Sequence, residues 1–430
     1  MAVTQQDGAS AGQPAPRKNN AKMIFAISIG NALEWFDLAV YGFLAATIAK
    51  LFFPAVNEFY SLMLTFATFG VAFVMRPLGA VVLGAYADRV GRKKALSLSI
   101  WMMMLGTFAI AVAPTFTQAG VLGSIMVVLA RLAQGFSAGG EFGSATAFLA
   151  ELNPKKRGFY ASWQFASQGL VTLLASAFGV YLNSGLTPEQ LESWGWRLPF
   201  FFGLLIGPVA IYIRRQMHES EEFAAVAKQG DTSSLGQTVV AERQKLLLSF
   251  GLVILLTVTS YTLLFLPSYA VRQLHLEPVY GFTGTLLMGC IQLLMTPIFG
   301  ALSDRIGRTP TMLAASLIIA VGIIPGFAYL DSHVSILAFH ILLGALALAL
   351  TGYSGPLAAL MSELFPTRSR GAGLSMSYSF AVTIFGGFAP FIIAWMINAT
   401  GSNLAPAIYL AFGSALSFIT VIYIRRLGLR

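Results

Sequence analysis

Charge, cysteine and histidine are all scarce in this chain. Only 10% of its 430 residues are charged and 56% are hydrophobic, whereas a soluble domain usually carries about 25% charged residues. So few charges cannot cover a water-facing surface of this size, which excludes an ordinary soluble protein. The single cysteine, Cys290, excludes a disulfide framework, and the four scattered histidines lack metal-ligand spacing.

Other absences reduce the range of functions that the sequence allows. The sequence contains no nucleotide-binding loop, nucleophile motif or metal cluster, so it predicts neither an enzyme nor a cofactor, and ATP is not the expected energy source. The net charge of +9 is compatible with nucleic-acid binding. However, the basic residues lie in short loops between apolar segments, which favours a topological role over a nucleic-acid partner.

Long apolar stretches are abundant. A helix needs about 20 mostly apolar residues to cross the hydrocarbon, and helix is required because lipid offers no partner for backbone polar groups. The sequence predicts an all-α membrane protein in a lipid bilayer, with twelve transmembrane helices in two six-helix repeat bundles. The twelve segments are 23–48, 60–85, 95–114, 119–149, 159–183, 198–213, 246–271, 279–302, 310–330, 334–361, 372–398 and 404–424.

The polar stretches between these segments predict the domain organisation. We expect a disordered tail over 1–22, a six-helix bundle over 23–213, a linker over 214–245, a second bundle over 246–424 and a short tail over 425–430. Of the 27 Lys and Arg residues, 22 lie on one side of the predicted membrane. This bias predicts that both termini and the linker are cytoplasmic.

One loop pattern occurs twice, half a chain apart. It reads GAYADRVGR over 84–92 and GALSDRIGR over 300–308, an offset of 216 residues. A second pair, ELNP at 151–154 followed by Arg157 and ELFP at 363–366 followed by Arg370, has nearly the same offset. Two related halves with charged loops between apolar stretches indicate a transporter built from structural repeats.

These loops resemble the signature of the major facilitator superfamily, and the chain is similar to its metabolite:proton symporter family. The resemblance covers residues 23–425, with further motifs GNALEWFD at 30–37, MRPLG at 75–79, RLAQGFSAGGE at 131–141 and WGWRLPF at 194–200. Stretches such as SLMLTFA at 61–67 and YASWQ at 160–164 resemble the citrate and tricarballylate branch, whereas the run at 139–141 resembles osmolyte and keto-acid members.

Ionisable residues at membrane depth carry the strongest chemical signal, because such charges normally face a partner or an aqueous cavity. Glu34 and Asp37 are spaced i, i+3 and, with Glu141, are candidates for cation coupling. Two close carboxylates repel when both are ionised, which favours a proton on one of them. The alternative is that one acid pairs with a basic residue and holds helices together.

Arg131 is the best candidate to hold an anionic substrate, because its planar fork matches a carboxylate. The alternative is a fixed ion pair with Glu141 or Asp37. Arg76, beside Pro77, is open between substrate contact and structural pairing. The remaining candidates for substrate contact are uncharged: Gln164, Gln168, Tyr261, Tyr353 and Tyr378. For the two glutamines the alternative is interhelical hydrogen bonding.

The repeated loops predict a gate. Asp88 and Arg92, with Asp304 and Arg308, should latch the two halves at their cytoplasmic ends in the outward-open state; the alternative is a tight, solvated turn. The resemblance implies import of a tricarboxylate such as citrate by proton symport, with sodium as the alternative cation. It also implies a monomer in a bacterial inner membrane.

Three other functions stay open. The same scaffold carries other organic anions and zwitterions, namely tricarballylate, α-ketoglutarate, shikimate, proline and betaine. Drug export is disfavoured because the fifth segment lacks the Gly-Pro-rich run typical of exporters. A transporter-like sensor is disfavoured by the short central loop.

Overall fold

The structure is a computed structural model that describes residues 20–90, 92–204, 207–208 and 242–428. These ranges are helical apart from short turns. The helices of the first half are α1 (Asn20–Phe43), α2 (Ala45–Phe52), α3 (Glu58–Val90), α4 (Arg92–Val112), α5 (Phe116–Ala119), α6 (Val121–Ser137), α7 (Glu141–Glu151), α8 (Arg157–Gly185), α9 (Pro188–Ser193) and α10 (198–204). Those of the second half are α11 (Arg243–Arg272), α12 (Pro278–Ile306), α13 (Arg308–Ser332), α14 (Ile336–Leu364), α15 (Thr367–Ala381), α16 (Ala389–Thr400) and α17 (Ala405–Arg426).

The helices account for the predicted membrane segments. Eight described helices are long and apolar enough to cross a membrane, and a ninth crossing combines the end of α1 with α2 across a 72° bend. Two shorter apolar helices, Ser97–Val112 and Val121–Ser137, fall on the third and fourth predicted segments. The sixth falls on α10, and the fold of twelve helices in two bundles is confirmed. The predicted tail over 1–22 and the linker over 214–245 lie almost wholly outside the described residues, whereas 425–428 of the short tail are described.

Two predicted segments are interrupted. A 3₁₀ turn over Ala138–Gly140 separates α6 from α7, where two glycines remove side chains that would support a helix. A π-helical turn over Val382–Gly386 joins α15 to α16 within one crossing. Such π turns are rare and concentrate at functional positions.

The two halves pack along α8 and α12. A Cβ atom on Gly169 would lie 2.5 Å from the backbone nitrogen of Leu293, and one on Gly289 would lie 2.5 Å from that of Leu173. Only glycine allows this approach at both positions, and close backbone contact is how helices associate without a hydrophobic driving force in lipid. This seam holds the halves side by side and leaves their remaining faces to form the site.

Candidate substrate and proton site

A small cavity lies between the two halves. Its volume is about 40 Å³, space for only a few water molecules. The first half contributes Trp35, Gln168 and Thr172, and the second contributes Tyr261 and Tyr378. The other lining residues are Leu38, Ala39, Val171, Leu256, Thr257, Ser260, Leu263, Leu264 and Gln292. Three sequence candidates, Gln168, Tyr261 and Tyr378, therefore meet at one place, and no charged residue is among the lining residues.

Aromatic rings form one wall of this cavity. The Trp35 ring lies 6.1 Å from Tyr261 and 6.2 Å from Tyr378, measured between centroids. Tyr378 also stacks on Phe142 at 3.6 Å, and Gln168 donates to its hydroxyl at 3.4 Å. Since Tyr378 and Gln168 belong to different halves, the wall joins both bundles.

Arg76 lies against the same wall. Its guanidinium is 4.8 Å from the centroid of Trp35 and 4.8 Å from that of Phe73, and the residue is buried. A cation over an aromatic face is stabilised by the ring quadrupole. Trp35 therefore contacts the central cavity and an arginine at once.

Arg131 on α6 is completely buried, with no exposed surface. Its Nη1 donates to Gln134 Oε1 at 2.9 Å, and its guanidinium lies 4.4 Å from the Tyr41 centroid. The Nε and Nη2 atoms have no acceptor among the described residues. Buried donors that lack a partner are costly, and more so when charged. Two unsatisfied donors on a buried cation are what a carboxylate of a substrate would satisfy.

Asp37 on α1 is 4% exposed. Its Oδ2 accepts a hydrogen bond from the Thr107 hydroxyl of α4, while Oδ1 has no partner among the described residues. A Cβ atom on Gly203 would lie 2.5 Å from Oδ1, so α10 closes over the carboxylate. One oxygen of this acid is thus fixed and the other is unsatisfied.

A chain of side-chain hydrogen bonds connects Asp37 to Arg131. Gln134 Nε2 donates to Thr107 Oγ1 at 3.0 Å, which links the acid, Thr107, Gln134 and the arginine in that order. Within the described residues Asp37 and Arg131 form no direct ion pair; two polar side chains connect them. Thr107 is not among the candidates predicted from the sequence, because a single threonine in an apolar helix is common.

The other uncharged candidates lie apart from the cavity. Gln164 Nε2 donates to Asn31 Oδ1 at 3.0 Å, and Asn31 Nδ2 donates back to the Gln164 carbonyl at 3.0 Å, which ties α8 to α1. This is the interhelical alternative considered above. The Tyr353 hydroxyl donates to the Leu252 carbonyl at 2.8 Å inside the second half, and the residue is completely buried.

For four further candidates the structure describes the backbone but not the side chain. The backbones of Glu34, Asp88, Arg92 and Glu141 belong to helices, but their side chains are outside the described part of the structure. Within that part, no group of three His, Cys, Asp or Glu residues could hold a metal ion.

Asp304 joins the two halves at the end of the bundle that carries the loop over 300–308, here called the signature end. Its carboxylate accepts from the backbone nitrogens of Gly158 at 2.8 Å and Phe159 at 3.0 Å, at the start of α8. The free N–H groups of a helix start favour an anion. Arg308 donates to Asp304 at 2.6 Å and to Glu363 at 3.1 Å, both in its own half.

The second repeated motif contributes pairs that cross between the halves. Arg370 pairs with Glu151 at 2.6 Å, and Arg157 lies 3.8 Å from Glu363. Each half therefore supplies the glutamate of one pair and the arginine of the other, as two-fold related repeats require. At the opposite end, Glu58 pairs with Arg272 at 3.2 Å, so ion pairs join the halves at both ends.

Comparisons with known proteins agree with this architecture. The sequence profile of the Major Facilitator Superfamily matches residues 27–390. A citrate-proton symporter of Klebsiella pneumoniae is 37% identical over 405 residues, which cover 94% of this chain and 91% of the relative. A proline/betaine transporter of Escherichia coli (strain K12) is 35% identical over 412 residues, covering 93% of this chain and 82% of the relative.

A solved structure shares the fold. The xylose transporter XylE from E. coli, in a partially occluded inward-open conformation, superposes with a TM-score of 0.75 at 15% identity, covering 95% of this chain and 97% of that one. The family profile and the symporter relatives confirm the resemblance noted from the sequence motifs. The chain belongs to the major facilitator superfamily and is a multi-pass membrane transporter.

Proposed function

We propose that this transporter imports a small organic anion, with citrate as the first candidate, together with a proton. One observation carries the proposal: the fully buried Arg131 guanidinium has two nitrogens without an acceptor and is connected by hydrogen bonds to Asp37. An intramembrane cation with spare donors suits a carboxylate, and an intramembrane acid with an unsatisfied oxygen suits a proton. The similarity to citrate-proton symporters supports both assignments.

The size of the cavity requires movement. About 40 Å³ holds a few water molecules but no tricarboxylate. Binding therefore needs one end of the bundle to open, and the pairs at both ends are the contacts that must break in turn. In this proposal the two halves rock about the α8 and α12 seam and expose the central site alternately.

Charge balance assigns roles to the acids and arginines. Citrate is largely trianionic at neutral pH. Arg76 lies against Trp35 of the cavity wall, and Arg131 lies 5.3 Å from the Phe69 ring, which in turn is 6.1 Å from Tyr261, so two positive charges lie behind the cavity wall. A proton on Asp37 removes a negative charge from the site, so protonation and anion binding favour one another. Tyr261, Tyr378 and Gln168 then orient the substrate, while Glu34 and Glu141 remain proposed coupling residues. Sodium is the alternative coupling cation.

A zwitterion such as betaine is the second candidate. The cavity is lined by Trp35, Tyr261 and Tyr378 and by no charged side chain among the described residues. Aromatic rings of this kind attract quaternary ammonium groups. The similarity to proline/betaine transporters supports this reading.

The signature end is proposed to be cytoplasmic, because the basic loops concentrate there. In this orientation Asp304 and Arg308, and by analogy Asp88 and Arg92, hold the cytoplasmic gate closed. We further propose that the protein resides in a bacterial inner membrane, acts as a monomer and catalyses no chemical reaction.

Uptake into proteoliposomes tests the proposal. Labelled citrate is offered under an inward proton gradient, an inward sodium gradient or neither, with tricarballylate, α-ketoglutarate, shikimate and betaine as competitors. We expect accumulation only with the proton gradient and competition by tricarballylate. Competition by betaine alone, with labelled betaine accumulated instead, would replace the first candidate with the second.

A further inference from the structure

We infer that Thr107 is a positioning residue for the proton on Asp37, and that its hydroxyl reverses the direction of its hydrogen bond when the acid gains or loses that proton. This inference rests on the proposed proton symport. It adds a residue of α4. Among the sequence candidates, α4 otherwise contains only Arg92, whose side chain is outside the described part of the structure.

Arg131 fixes the direction of the hydrogen bonds that connect it to Asp37, because arginine can only donate. Its Nη1 must face the oxygen of the Gln134 amide, so the amide nitrogen of Gln134 must face Thr107. The Thr107 oxygen therefore accepts from Gln134. Its single hydrogen is left for one of two acceptors: Asp37 Oδ2, or the carbonyl of Met103 one turn earlier at 3.0 Å.

The two acceptors correspond to two protonation states of the acid. When Asp37 is ionised, Thr107 donates to Oδ2 and still accepts from Gln134. When Asp37 is protonated, its own O–H donates to Thr107, and the threonine hydrogen turns to Met103. A hydroxyl has one hydrogen and two lone pairs, so every bond of Thr107 is satisfied in both states.

This reversal matters because the site is closed to water. Asp37 and Thr107 are 4% and 1% exposed, and an unsatisfied buried polar group is costly. The charged or titratable groups that act on this network, among the described residues, are Arg131 on α6, Arg76 on α3, and Tyr41 and Tyr261 on α1 and α11. None of these side chains both donates and accepts next to Oδ2, whereas Thr107 does.

Three variants separate this role from packing. Thr107→Val keeps the shape of the side chain but removes the hydroxyl, whereas Thr107→Ser keeps the hydroxyl and loses a methyl group. Thr146→Val is the matched control, because Thr146 is a completely buried threonine of the same half whose hydroxyl has no partner among the described residues.

The first measurement needs no substrate. Infrared difference spectra of the purified protein between acid and neutral pH contain the band of the protonated Asp37 carboxyl, which Asp37→Asn identifies by its loss. We expect Thr107→Val to shift this band to higher frequency, because the carboxyl loses its hydrogen-bond acceptor. Thr107→Ser and Thr146→Val should leave it in place. An unshifted band in Thr107→Val would overturn the inference.

The second measurement is transport of citrate, with betaine in a parallel series. Exchange across the membrane keeps the proton on the carrier, while accumulation requires its release. We expect Thr107→Val to retain exchange within about threefold and to lose accumulation at least tenfold, with recovery in Thr107→Ser. Equal loss of both activities would indicate packing alone and overturn the inference. Absence of proton-driven uptake in the wild type would reject the proposed function, while the infrared result still decides the role of Thr107.

Discussion

Removal of the ion pair between Glu151 and Arg370 should open the signature end. The paired atoms are 2.6 Å apart, and the side chains are only 5% and 9% exposed. Removing one partner of a buried pair costs roughly 3 to 5 kcal/mol, because the remaining charge stays buried and loses the compensation that this partner supplied. In the proposed mechanism only the state with the signature end closed contains this pair, so Arg370→Ala should destabilise that state selectively. With a factor of ten for each 1.36 kcal/mol, the lower figure of about 3 kcal/mol shifts the equilibrium roughly 150-fold toward opening.

Thiol labelling measures this shift. The hydroxyl of Ser375 on α15 accepts from the Gly143 nitrogen at 3.1 Å, so it lies between the halves near the signature end. After Cys290→Ser, Ser375→Cys is the only thiol of the chain. Its rate of reaction with a membrane-impermeant maleimide, in membranes that expose the signature end, reports how often this end opens.

The expected outcomes are specific. Arg370→Ala and Glu151→Gln should each raise the labelling rate at least tenfold, and the charge swap Glu151→Arg with Arg370→Glu should recover part of the difference. Arg426→Ala removes an exposed basic residue at the end of α17 and serves as the control. Rates within twofold of the parent for both single variants would refute the assignment of this pair to the gate.

Three further predictions concern the site. Asp37→Asn should permit citrate exchange but abolish accumulation driven by a proton gradient; normal accumulation would remove this acid from the coupling role. Gln164→Leu should lower the melting temperature and change the affinity for substrate less than threefold, because the Gln164 amide pairs with Asn31. A tenfold loss of affinity with an unchanged melting temperature would instead indicate that Gln164 contacts the substrate. Tyr353→Phe should leave substrate affinity unchanged within twofold, since its hydroxyl bonds to a backbone carbonyl away from the cavity.

The length and apolarity of the segments were enough to predict the helices, because lipid offers no hydrogen-bond partner for backbone polar groups. The breaks within segments were harder to predict. The 72° bend between α1 and α2 occurs at Leu44, two residues after Gly42, and a single glycine within an apolar run does not by itself predict a bend. The π turn over Val382–Gly386 packs against the first half, where Thr383 donates to the Phe73 carbonyl at 2.9 Å. Such features depend on tertiary contacts.

Candidate site residues could be predicted from the sequence where charge is rare. Arg131 and Asp37 stand out in apolar helices, so composition alone made them candidates. The partners that connect them come from different helices, and a lone Thr107 gives no signal. At the signature end, the repeated Glu and Arg motifs indicated two related halves. The pairing of Glu151 with Arg370 across the halves could not be predicted, because it depends on how the two repeats face one another in the fold.

Citrate binding to purified Arg131 variants tests the central claim most directly. Two charge-assisted hydrogen bonds, each contributing about 1.5 to 3 kcal/mol, are lost in Arg131→Ala, so we expect affinity to fall at least about 150-fold. Arg131→Lys, which keeps the charge but loses the planar fork, should be intermediate. Binding of citrate by Arg131→Ala with the affinity of the wild type would contradict the account.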